Sequence, residues 1–251
     1  MLVLDRVVKS FGGNRAVDGV SCTLAPGRIT GLIGPNGAGK TTLFNLIAGA
    51  HRPTSGRIAL EGRDITGLPP HRIFAAGLAR TFQIPRPFAA MSVLENVMLA
   101  PGGQAGEVFW RNWFGGGGVA AQERQVRESA FHWLDFVGLS ALAAEPARVL
   151  SGGQRKLLEL ARVMVAQPRL VLLDEPGAGV NPALLDTIVD RIAALHRQGT
   201  GFLIIEHNMD LVASLCDPVL VLAQGRLLAS GTPRDVLRDP RVVEAYLGAP
   251  A

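Results

Sequence analysis

The chain has 251 residues, 48% of them hydrophobic, enough for one large core or two modest ones. A formal charge of +4 without any long basic run gives no footing for nucleic acid, and charged residues, at 18%, are sparse for a freely soluble surface and suit a protein that docks against others. Cys22 and Cys216 fit no metal spacing, Asp5 and Arg6 interrupt any leader, and no apolar stretch nears the roughly 20 residues that cross a bilayer. The expectation is a protein of a reducing cytosol that meets membranes only through a partner.

In chain order, Leu2 to Val8 alternates in character and predicts a strand, and Phe11-Gly12-Gly13-Asn14 predicts a turn. Val20 to Leu24 and Ile29 to Ile33 read as two further strands, split by Ala25-Pro26-Gly27. Gly34-Pro35-Asn36-Gly37-Ala38-Gly39-Lys40-Thr41-Thr42 then leads into a helix running to about Gly49. Arg57 to Leu60 and Arg63 to Ile65 suggest a small antiparallel sheet. The first part therefore reads as an antiparallel β layer around one strand–loop–helix unit.

Composition changes near Pro85. Met91 to Leu99 has helical spacing, and Val119 to Val137 reads as an amphipathic helix charged on one face. Between them stand Pro101-Gly102-Gly103, the aromatic run Phe109 to Phe114, and four glycines. The aromatic run reads as the apolar underside of a loop folded on its own helices, in preference to an exposed docking patch. The whole makes a helical insert over roughly Ile84 to Val165. Beyond it, Leu170 to Leu173 and Phe202 to Ile205 are short continuous apolar runs of the buried parallel-strand kind. Asp186 to Leu195 predicts a helix, Val219 to Leu222 with Arg226 to Leu228 a hairpin, and Thr232 to Leu247 two short helices.

The glycine loop has the P-loop spacing: Gly34, four residues, then Gly39-Lys40-Thr41. Glycines let several backbone N–H groups point inward, and the new helix offers its free N–H groups and positive dipole end. Asn36, Gly37, Ala38, Gly39, Lys40, Thr41 and Thr42 form a cradle suited to a polyphosphate, with Lys40 reaching the β- and γ-phosphates and the Thr41 hydroxyl on Mg²⁺. Leu170 to Glu175 is an apolar strand ending in two carboxylates. It is expected beside the P-loop strand, with Asp174 reaching the metal and Glu175 orienting or deprotonating the attacking water. Leu150-Ser151-Gly152-Gly153-Gln154 opens a further amphipathic helix, with Ser151 as N-cap and two glycines that let a phosphate come close.

These motifs, with Gln83 and His207, stand in the order and rough spacing of ABC-type ATPase domains. The chain resembles that family over nearly its whole length, most specifically at Leu150 to Gln154. The resemblance implies an α/β fold: a P-loop NTPase core with an antiparallel β subdomain and a helical subdomain. The core would take in about 1–83 and 166–251, and the helical subdomain about 84–165. It implies ATP and Mg²⁺ as cofactors and a head-to-tail dimer in which Ser151, Gly152, Gly153 and Gln154 contact the nucleotide of a second ATPase subunit. It gives Gln83 a γ-phosphate- and Mg²⁺-sensing role at the hinge of the insert, His207 a γ-phosphate hydrogen bond, and Phe11 an adenine-stacking role.

Gly177-Ala178-Gly179-Val180-Asn181-Pro182 departs from the common Ser-Ala-Leu-Asp ending, with Asn181 where the family usually has aspartate. That variant, Arg80-Thr81-Phe82-Gln83 and Glu244 to Gly248 resemble the ATPase subunits of branched-chain amino acid importers and their amide- and urea-importing relatives. The resemblance further implies transmembrane permease subunits that dock near Ile84 to Met91, an external solute-binding protein, and a seat at the cytoplasmic face of the inner membrane. A urea or amide importer or a lipid exporter stays open as an alternative. A soluble ABC ATPase is disfavoured by the lack of a second ATPase unit, long coiled coils or zinc cysteines. A binding-only regulator is disfavoured by the presence of Lys40, Asp174, Glu175 and His207.

Overall fold

Alternation of buried and solvent-facing residues sets the first sheet. Leu2, Leu4 and Val7 on β1 (Leu2–Phe11) and Val17, Val20 and Leu24 on β2 (Asn14–Leu24) turn inward, and the strands pair antiparallel across the Gly12–Gly13 turn. With β4 (Ser55–Leu60) and β5 (Arg63–Asp64), the order is β2-β1-β4-β5. The computed structural model describes residues 1–81, 87–100 and 116–247, with the backbone alone at 116–120. Gln83 and the aromatic run 109–114 lie outside the described residues.

The second sheet is built from runs with no alternation, because both of its faces are covered. Its order is β10 (Arg226–Gly231), β9 (Val219–Ala223), β3 (Ile29–Ile33), β8 (Gly201–Ile205), β7 (Leu170–Asp174) and β6 (Leu78–Arg80). Every pair is parallel except the β9–β10 hairpin at one edge. The sequence places the Asp174 strand next to the P-loop strand, and the structure corrects this: β8 stands between β3 and β7. The apolar runs of β7 and β8 have the same pattern, so periodicity cannot rank them as neighbours of β3. The observed order puts the strand leading to His207 between the P-loop strand and the strand leading to Glu175.

Two compact units divide the chain: Met1–Gln83, Arg169–Ala178 and Ile192–Ala251 form one, Ile84–Pro168 and Gly179–Arg191 the other. In the first, Leu43, Phe44, Leu46 and Ile47 of α1 (Lys40–Ile47) join inward residues of both sheets in one core. This unit also holds elements the periodicity does not announce: α2 (Pro70–Ala75), the three-residue β6, and α7 (Met209–Leu215), capped by the Asn208 side chain. Helices α8 (Pro233–Arg238) and α9 (Pro240–Leu247) close the chain.

In the second unit α3 (Val93–Met98), α4 (Gly116–Phe136) and α5 (Gly152–Met164) pack on one another, burying Val93, Val97, Trp133, Leu134, Leu157, Leu158 and Ala161. Ser92 and Glu95 form a capping box at α3. Asn96, fully buried, accepts from Phe88 N–H at 2.8 Å and donates to the carbonyls of Phe88 and Ser92, fixing the loop before the helix. Helix α6 (Pro182–Arg197) begins in this unit, with Asn181 Oδ1 accepting from Leu184 N–H at 3.0 Å. A neutral asparagine thus fills an N-cap that an aspartate would also fill.

Candidate functional site

The glycine loop leaves β3 in a conformation closed to other residues. Gly34 has φ 151°, and a Cβ there would stand 2.0 Å from the Leu222 carbonyl oxygen. Gly39, the N-cap of α1, has φ 99°, and its Cβ would lie 2.3 Å from the Ala16 carbonyl oxygen. No side chain caps α1, so its first N–H groups and dipole end remain available to an anion. They open on a cavity of about 440 Å³. Asn36, Gly37, Ala38, Gly39, Lys40, Thr41 and Thr42 line it, together with Glu175 and His207. The structure therefore brings together the P-loop residues and the two predicted turnover residues. Asn14, Arg15, Ala16, Gln224 and Gly225 also line it, which no local motif signals.

Lys40 is buried, and its Nζ donates to the carbonyls of Gly34 at 2.7 Å and Pro35 at 3.0 Å. Burial pulls its pKa down, and the nearby charges of Glu175 and Asp174 oppose that pull. Asp174 is also buried, and burial raises its carboxyl above the usual range, against the pull of Arg80 first and Lys40 afterwards. Arg80 lies 3.2 Å from Asp174, hydrogen-bonds Asn45 on α1, and places its guanidinium over the Phe44 ring. That triangle spans three separate elements and escapes a reading made motif by motif.

Glu175 carries φ 49°, a left-handed backbone rare for a side chain with a Cβ, and its N–H donates to the Ile205 carbonyl at 2.9 Å. The His207 Nε2 lies 3.2 Å from the Glu175 Oε1. Glu206, a residue the motifs do not single out, is buried beneath the loops that carry them. It accepts from Gly177 N–H at 2.7 Å and from His207 N–H at 3.0 Å.

Phe11 does not line the cavity. Its ring is half exposed, edge-on to His51 with Lys9 Nζ above it. Ser151, Gly152, Gly153 and Gln154 belong to the second unit. There Ser151 and Gln154 form a capping box, Ser151 N–H donating to Gln154 Oε1 at 2.9 Å and Gln154 N–H to Ser151 Oγ at 3.3 Å. Gly153 is buried against Leu184, while Gly152 faces open space.

A family model described as ABC transporter matches residues 17–178, from β2 through the cradle to the loop after Glu175. The chain belongs to the ABC transporter family. It is an ATP-binding, ATP-hydrolysing cassette of that family. A second model, described as branched-chain amino acid ATP-binding cassette transporter, matches residues 226–251. The cassette is 43% identical to a probable branched-chain amino acid transport ATP-binding protein, LivG, of Archaeoglobus fulgidus, covering 99% of this chain and 96% of that one. It is 41% identical to the high-affinity counterpart BraF of Pseudomonas aeruginosa, covering 99% and 98%. Among solved structures, a nucleotide-free ATP-binding cassette from an ABC transporter superposes with a TM-score of 0.86 at 39% identity, over 99% of both chains. The ADP conformation of an ATP-binding cassette gives 0.85 at 39% identity, over 99% of this chain and 98% of that one.

Proposed function

We propose that the cassette powers uptake of branched-chain or similar amino acids by binding ATP at the Asn36–Thr42 cradle and hydrolysing it with Glu175 and His207. One observation carries the reading: the uncapped helix start, Lys40, Glu175 and His207 all border one cavity, with the two turnover side chains 3.2 Å apart. Lys40 and the loop N–H groups hold the β- and γ-phosphates, Glu175 orients and deprotonates the attacking water, and His207 hydrogen-bonds the γ-phosphate. The Thr41 hydroxyl and the Asp174 carboxylate would supply hard oxygen ligands of the sort Mg²⁺ takes beside substrate phosphates, and Gln83, outside the described residues, is the further oxygen that the sequence offers. Bound there, the ion neutralises phosphate charge.

Phe11, half exposed beside Lys9, stacks on adenine. Ser151, Gly152, Gly153 and Gln154 engage the nucleotide of a second ATPase subunit in a head-to-tail dimer, identical or different. Gly152, open on its outer side, is where that phosphate comes closest. Transmembrane permease subunits seat the cassette at the cytoplasmic face of the membrane, and an external solute-binding protein delivers the cargo. Support for this cargo comes from the match over 226–251 and from relatives named for branched-chain amino acid transport.

The test uses Glu175→Gln. ATP affinity is expected to hold within a few-fold while turnover falls by about 10²–10⁴. The tagged variant, recovered from native membranes solubilised with ATP, is expected to bring down permeases and a second ATPase. Recovery in the soluble fraction alone would sink the transport reading, and undiminished turnover would sink the role of Glu175.

A further inference from the structure

We propose that Glu206 is a positioning residue for turnover: its carboxylate fastens the loop after Glu175 to the loop bearing His207, and so sets the spacing of those two side chains. The proposal rests on the roles given above to Glu175 and His207.

Strands β7 and β8 run parallel and end level, Asp174 opposite Ile205. The last backbone bond between them is Glu175 N–H to the Ile205 carbonyl at 2.9 Å. Beyond it the two chains turn into separate loops, and strand pairing no longer holds them. Glu206 continues the bridge with a side chain. Its Oε1 accepts from Gly177 N–H at 2.7 Å, on the loop past β7. Its Oε2 accepts from His207 N–H at 3.0 Å and Asn208 N–H at 3.4 Å, on the loop past β8. Glu206 as a residue is only 4% exposed, so these charge-assisted bonds act with little competition from water.

The backbone of Glu175 needs such support. A left-handed residue that is not glycine persists only where its surroundings over-determine it. Here Glu175 is tied at its own N–H to Ile205, and two residues later at Gly177 to Glu206. Releasing the second tie frees Glu175 and His207 to drift apart by fractions of an ångström, enough to slow a reaction that depends on aligned groups.

The demand is for an acceptor on each arm. Glutamine has the same length but one acceptor oxygen and one amide donor, so one of the two loops would face an N–H against an N–H. Aspartate keeps both acceptors and the charge but is one methylene short of spanning the gap.

The experiment measures steady-state ATP hydrolysis and backbone hydrogen exchange on the purified full chain and on Glu206→Gln and Glu206→Asp. Both variants are expected to lose about 10-fold in kcat, with KM for ATP within twofold, because the cradle is untouched. Exchange at the Gly177 and His207 amides is expected to quicken about 10-fold, with β3 and β8 unchanged. Wild-type kcat in both variants overturns the proposal. So does a fall in kcat matched by weaker KM and faster exchange throughout the unit, the mark of a purely structural residue. If Glu206→Gln fails to fold, Glu206→Asp decides alone. Glu175→Gln and His207→Ala run alongside: full turnover there would break the underlying roles, while their loss with wild-type kcat in both Glu206 variants would break this inference only.

Discussion

Arg80→Met removes a buried cation, and with it the guanidinium over Phe44, while keeping an unbranched apolar stem. Asp174 is 4% exposed at its side chain and Arg80 16%, so the pair is screened little by solvent. Breaking such a pair from one side costs about 3–5 kcal/mol, because the remaining charge is buried alone. Lys40 still offers partial compensation, which places the expectation near the lower bound, about 3 kcal/mol at pH 8. The loss must depend on pH. Burial already raises the Asp174 carboxyl, and Arg80 is the first influence holding it down, so the variant raises it further. A carboxyl with a raised folded pKa makes folding less favourable as pH climbs from the ordinary aspartate range through the folded value. The loss relative to the parent chain is therefore full above the variant's folded value and fades as pH falls through the parent's own raised value, leaving about 1 kcal/mol for the lost bond to Asn45. Urea unfolding of both chains at pH 8 and pH 4.5, without nucleotide or metal, measures it. Equal losses at the two pH values, or a loss under about 1 kcal/mol at pH 8, would refute the reasoning.

Gly39→Ala places a Cβ 2.3 Å from the Ala16 carbonyl at φ 99°, and the start of α1 must shift. ATP affinity measured by titration calorimetry should fall at least about 10-fold, with a further strain of about 1–2 kcal/mol in stability. A Cβ at Gly152 would meet nothing within 4 Å, so Gly152→Ala should keep its melting temperature within about 2 °C while slowing ATP turnover, since only an approaching ligand would feel the new methyl group. Burial pushes Cys22 up to about 11, and burial followed by the charge of Glu206 pushes Cys216 up to about 12. At pH 8 both thiols should stay protonated and resist iodoacetamide in the native chain, then react fully in urea, as read by mass spectrometry.

The legible parts of this molecule were those whose chemistry is local. Gly34 to Thr42 announces its loop because glycines at fixed offsets suit no simpler purpose, and Ile29–Ile33 and Gly201–Ile205 announce buried strands by lacking alternation. Helix α2 and strand β6 were missed: six and three residues are too few for a period to register. The order of β3, β8 and β7 was misjudged because two apolar runs of equal length carry no label of rank. Arg80 and Asp174 are 94 residues apart in sequence, so their pairing exists only once β6 lies beside β7. Glu206 was passed over because a lone carboxylate before a histidine looks like a surface residue until its burial is known.

The parallel ladder from Leu170↔Gly201 to Asp174↔Ile205 also acts as a counting device. Each residue advances a strand by about 3.3 Å and reverses the side it faces. One residue inserted or deleted between Gly201 and His207 would bring a different side chain opposite Glu175 and turn the imidazole away. The same change in the Gln198–Gly199 turn, which precedes the ladder, would be absorbed before counting begins. Length variation among descendants of this chain should therefore gather in the turns that lead into β7 and β8, and the intervals from each strand's first residue to Glu175 and to His207 should stay constant.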